Sequence, residues 1–120
     1  MSITVSFPEL LKEGSREEFE LATNLKVAYK VQGYHNHKPY LQIFEELDKM
    51  LIEQQIAIVY AALVSADPAI AKEVTKTYFE DYMLERYNVK ELMNLVAEIV
   101  QGIMGMTADD VKPTEQSEGN

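Results

Sequence analysis

Apolar positions along this chain are spaced in three ways, and the contrast lays out its elements. Residues 3–7 alternate apolar and polar (Ile3, Val5 and Phe7 against Thr4 and Ser6), the period of a half-buried strand. From Ile56 to Val64 no side chain is charged. An unbroken apolar run fits a buried strand or a buried helix, since periodicity does not separate them. Its setting in residues 51–65 (LIEQQIAIVYAALVS) is rich in Ala, Leu and Gln, entered through Glu53 and left through Asp67-Pro68. That composition and length predict a helix. The run is shorter than the roughly twenty apolar residues a bilayer span needs. A helix apolar nearly all round has to be surrounded, so this one is expected to be the central post of a small helical domain.

The remaining segments are read around that post. Pro8 suits the first position of a short helical turn through Leu10 and Leu11, closed by Gly14. Residues 17–22 alternate again (Phe19, Leu21) and predict a second strand pairing with the first, although Ser15 and Glu18 have capping-box spacing. Asn24 is a good N-cap for a helix over 25–32, with Gly33 as its stop. Residues 34–38 (YHNHK) form a polar, solvated loop. Pro39 then opens a helix whose face is Tyr40, Ile43, Phe44, Leu47 and Leu51. After the central helix, Asp67-Pro68 reads as the cap and first turn of a helix running to about residue 87, with Ile70, Val74, Tyr78 and Tyr82 in a row and Phe79 and Met83 beside it. Asn88 caps the last helix, 89–104. The fold class is therefore mainly α: four to five helices around a central apolar helix, with a short N-terminal β-hairpin. Residues 1–106 form the helical domain, and the acidic stretch 107–120 (TADDVKPTEQSEGN) reads as a disordered tail.

The last helix is the strongest pointer to partners. Val89, Leu92, Val96, Ile99 and Ile103 form one stripe, and Met93, Ala97, Val100 and Met104 form a second beside it, widened by Leu95. The apolar arc spans roughly 200°, against a little over 100° for an ordinary surface helix. Such width means either burial between several elements or docking against another chain. The interface reading assigns partner binding to Val89, Leu92, Met93, Val96, Ile99, Val100, Ile103 and Met104.

Composition narrows the function classes. The chain has 120 residues, 47% of them hydrophobic, enough for one domain with a respectable core. Eleven basic against twenty acidic residues give a net charge of −9, which disfavours a nucleic-acid backbone as partner. There is no cysteine, so disulfides and thiolate metal sites are excluded. No secretory signal is visible at the N-terminus, and the expectation is a soluble intracellular protein without a membrane partner. His35 and His37 are the only histidines and share one loop, where no further His or Cys completes a metal set. The carboxylates lie in polar stretches, the serines lack a nucleophile-elbow motif, and no Gly-rich phosphate loop occurs. Nothing in the pattern builds an enzyme, a cofactor site or a metal site.

Three segments together resemble a known family: EFELATNLKVAYKVQG, KPYLQIFEELDKMLIEQQIAIVYAALVSADP and NVKELMNLVAEIVQGIMG. Across residues 17–104 their order and apolar spacing are similar to the tail assembly chaperones of long-tailed bacteriophages of Gram-positive hosts. The resemblance implies a non-enzymatic role: coating the long helical tape measure protein, as a homo-oligomer, and keeping it soluble while tail tube subunits polymerise around it. It also implies action in the host cytoplasm and absence from the mature virion. Many members have a frameshifted longer form that recruits the tail tube protein. The alternative, resting on the charge, is a small acidic regulator that blocks a host or phage partner by protein–protein binding.

Overall fold

The computed structural model describes residues 2–14 and 16–105; the stretch read as a tail lies outside the described residues. Two strands, β1 (Ser2–Ser6) and β2 (Glu18–Ala22), pair antiparallel with Ile3 opposite Leu21 and Val5 opposite Phe19. Alternation puts these four on one face, where Phe19 and Leu21 are fully buried. Ser2, Thr4 and Glu20 share the wet face, and the Ser2 hydroxyl donates to Glu20 Oε1 at 2.6 Å. A hairpin alone is marginal in water, and β2 is held because it lies along the central helix. Residues 8–14, expected as a helical turn, are instead turns and bends. Glu9 and Gly14 both have positive φ (64° and 90°), so the backbone reverses twice where a helix needs one repeating conformation.

The expected central post is α3 (Ile52–Ala66), with an unbroken buried run from Gln55 to Val64. Its entry has no polar N-cap side chain; Gln54 Oε1 accepts from the Leu51 N–H at 3.0 Å in its place. Against α3 lie β2, α1 (Leu25–Tyr34), α5 (Val89–Ile103) and α4 (Lys76–Arg86). Asn24 caps α1 by accepting from the Lys26 N–H at 3.1 Å, and Val27, Ala28 and Val31 face the core. Gly33 does not stop this helix. The chain passes through it to Tyr34, and the left-handed residues that end it are Asn36 and His37.

Two predicted helices are shorter than their apolar rows. The helix after Pro39 ends at Glu45 (α2, Tyr40–Glu45), followed by a 3-10 turn at Leu47–Lys49. Met50 and Leu51 are extended, which leaves Leu51 on the surface and off the Ile43/Phe44 face. The helix after Pro68 also splits, into a 3-10 turn at Pro68–Lys72 and α4, which starts afresh behind the N-cap Thr75. The break frees the Val74 carbonyl, and the Tyr60 hydroxyl of α3 donates to it at 2.7 Å. Across the second break both halves still bury their row in the same core, Ile70 and Val74 before it and Phe79, Tyr82 and Met83 after it.

The core's densest part is aromatic. Phe7 sits 5.5 Å from Phe79 and 5.9 Å from Tyr82, both edge to face, and 5.9 Å from Phe19. These are favoured ring geometries. Three further contacts tie the segment after β1 to α4: the Tyr82 hydroxyl donates to Pro8 O at 2.7 Å, Tyr78 to Leu10 O at 3.0 Å, and Arg86 pairs with Glu9 at 2.9 Å.

Candidate interaction surfaces

The side chains proposed from sequence for partner binding divide between the core and the surface. Helix α5 starts as expected, with Asn88 Oδ1 accepting from the Glu91 N–H and Glu91 Oε1 from the Asn88 N–H, a reciprocal capping box. Leu92, Val96, Ile99 and Val100 are buried against the rest of the fold, and Ile103 is half-buried. Leu92, Val96, Ile99 and Val100 fill the core and offer no surface to a partner, so that part of the interface reading is corrected. The wide arc arises because α5 is clasped on more than one side, touching α3 and α1. Val89, Met93 and Met104 remain outward, 64%, 38% and 43% exposed.

Val89 belongs to a patch that the α5 pattern alone does not reveal. It lines a shallow cavity with Ile52 at the start of α3 and Leu84 near the end of α4. All three are exposed, and Met93 follows Val89 one turn on. No charged side chain lines this patch.

A second, larger apolar surface lies on α1. Leu25 and Tyr29, one turn apart, are 71% and 78% exposed. They form a ridge between two grooves. One, of about 430 Å³, is lined also by Lys26, Lys30, Val64, Ser65 and Pro68. The other, of about 260 Å³, is floored by Ala28, Gln32 and Tyr40. The signal was in the sequence: Leu25 and Tyr29 have the same one-turn spacing as a buried row, on the stripe next to Val27, Ala28 and Val31. Periodicity marks such residues as apolar and helical but does not say that the domain lacks an element to cover them.

The two surfaces sit at opposite ends of α3. Val64 lines the α1 groove and Ile52 lines the other, twelve residues apart in one helix, about 18 Å at ~1.5 Å per residue. Their linings differ in charge: Lys26 and Lys30 line the α1 groove, and no charged side chain lines the other. On a chain of net charge −9, Lys26 and Lys30 make the α1 groove locally basic.

The histidine loop is less solvated than its sequence suggests. His37 is exposed, but His35 is only 4% exposed, because it is the C-cap of α1 and turns back under the helix. Its Nδ1 lies 2.9 Å from the Val31 carbonyl oxygen. An oxygen of that kind only accepts, so Nδ1 carries the proton. Nε2 is buried and has no hydrogen-bond partner among the described residues.

The shifted titrating groups are structural. Burial raises the pKa of Tyr60, Tyr82 and Tyr87 above the ordinary 10.0, with the neighbouring Tyr34, Glu9 and Glu91 carboxylate or phenol groups adding to it, and Arg86 opposing it at Tyr82. No cluster of three His, Cys, Asp or Glu side chains suited to a metal occurs among the described residues. No helix among them is long and apolar enough to cross a membrane. Comparison with protein-family models, curated proteins and solved structures finds no match to this chain.

Proposed function

We propose that this protein is a non-enzymatic holder of an amphipathic helical client, working as an assembly of several copies. The observation that carries this is the Leu25–Tyr29 ridge with a groove on either side. Two large apolar side chains held upright on a well-capped helix cost solvation in a free monomer, and paired apolar grooves of this kind receive one face of a helix. The resemblance to tail assembly chaperones supplies the client, the tape measure protein, and agrees with a fold that spends its residues on packing.

The apolar patch around Ile52, Leu84 and Val89, at the other end of α3 from the client grooves, serves contact between copies. A long client needs such a multi-copy coat.

Co-expression with a fragment of the cognate tape measure protein tests the proposal. The expected result is a soluble fragment that co-elutes with this chain on gel filtration. A fragment that precipitates equally with and without the chain, and gives no shared peak, refutes it.

A further inference from the structure

Strand β1 has a bare outer edge. Its inner edge pairs with β2, it packs against no other element to a comparable degree, and no further strand joins the sheet among the described residues. The register decides which backbone groups face outward. The Phe7 N–H donates to the opposite Glu17 carbonyl at 2.8 Å, one step beyond the Ser6–Glu18 pair. Antiparallel partners exchange hydrogen bonds at every second pair, so Val5 and Ile3 also bond to β2. The N–H and C=O groups of Ser2, Thr4 and Ser6 therefore point away from it, and no other backbone group among the described residues takes them. Folded proteins protect such an edge with lysines, prolines or bulges. Ser2–Ser6 has none of these and no charge at all. Ile3 and Val5 are half-buried where their β2 partners Leu21 and Phe19 are fully so, which leaves apolar surface beside the open edge.

We propose that this edge pairs with the same edge of a second copy, antiparallel and centred on Thr4, to make one four-stranded sheet. The occupant is set by the strand itself, Ser-Ile-Thr-Val-Ser, which has the same chemistry in both directions. Turned end for end about Thr4, serine meets serine, and Ile3 meets the other copy's Val5 on the apolar face. Threonine meets threonine on the wet face, a favoured cross-strand pair. Main-chain hydrogen bonds supply the affinity of a strand added in this way. Each copy has a net charge of −9, yet the edges that meet are uncharged. Glu20, opposite Thr4 on the wet face, is held by the Ser2 hydroxyl at 2.6 Å. In this pairing the two Glu20 residues lie about 14 Å apart, beyond the ~8 Å screening length at physiological salt. The contact is isologous and rests on neither the Ile52, Leu84 and Val89 patch nor the client grooves.

Analytical ultracentrifugation of the Val89→Ser variant isolates this contact from the other patch, and the expected species is a dimer. Adding Thr4→Lys sets two ammonium groups opposite each other and weakens that dimer roughly tenfold, with helical circular dichroism unchanged. Adding Thr4→Pro in its place removes an outward N–H that β2 does not use, and weakens the dimer likewise. The chain has no native cysteine, so cross-linking reads the register. Thr4→Cys, at the two-fold position, oxidises to a covalent dimer. Ser6→Cys does not, because the pairing sets that position about 14 Å from its own copy. A Val89→Ser variant that stays a single copy up to its solubility limit, a dimer indifferent to both Thr4→Lys and Thr4→Pro, or equal cross-linking by Thr4→Cys and Ser6→Cys each overturns the proposal.

Discussion

At Gly102 an added methyl group would lie 2.7 Å from Thr23 Cβ, closer than two carbons can sit. Helix α5 therefore approaches the end of β2 only because this residue has no side chain. Gly102→Ala gains helix propensity but forces the two elements apart, and the clash dominates: we expect a loss of about 1–3 kcal/mol by chemical denaturation. The tyrosines make a second prediction at this scale. Tyr60, Tyr82 and Tyr87 have pKa values raised by burial. Below pH ~10 they are neutral folded or unfolded, and their burial carries no penalty. As pH rises past 10 the unfolded chain loses these protons first, so stability falls with increasing pH. The expected outcome is alkaline unfolding in which tyrosinate absorbance and loss of helical circular dichroism rise together. Tyrosinate forming in a fully helical protein would contradict it.

Among the elements, α5 shows both what the chain's pattern reveals and where it stops. Its start at Asn88, its capping box with Glu91 and its length were readable because they depend on neighbours three and four residues apart. Asn88→Ala is expected to cost about 1 kcal/mol. The hairpin and the central helix were readable for the same reason. The breaks at Glu46 and Val74 were not: neither has a Gly or Pro, and both are set by distant packing, as the Tyr60 hydroxyl on the Val74 carbonyl illustrates. The fate of α5's wide apolar arc was equally non-local. One width serves a clasped helix and a docking helix alike, and only the positions of α1 and α3 decide that Ile99 is wholly inside while Val89 is not. Ile99→Asp should therefore remove the cooperative melting transition altogether, since it buries an unpaired charge. A folded variant with unchanged melting temperature would show that α5 is not core.

For the whole molecule, the two apolar surfaces predict a behaviour that single-site stability does not. Tyr29→Ser and Val89→Ser alter exposed residues and should leave stability within about 0.5 kcal/mol. Val89→Ser should weaken association between copies, measurable by analytical ultracentrifugation, and Tyr29→Ser should weaken capture of the client in co-expression while leaving that association intact. A Val89→Ser variant that assembles like the parent would eliminate this interface while leaving client binding to be judged by the co-expression result.

The tie between residues 7–10 and α4 has a consequence for synthesis. Phe7, Pro8, Glu9 and Leu10 find their partners in Tyr78, Phe79, Tyr82 and Arg86, some seventy residues later. A growing chain emerges from the ribosome N-terminus first, so residues 7–10 must wait, with Phe7 lacking its α4 partners, until α4 has been made. Fragments that stop short of Lys76 should therefore clump or be degraded, and the ring cluster should be among the last parts of the protein to close.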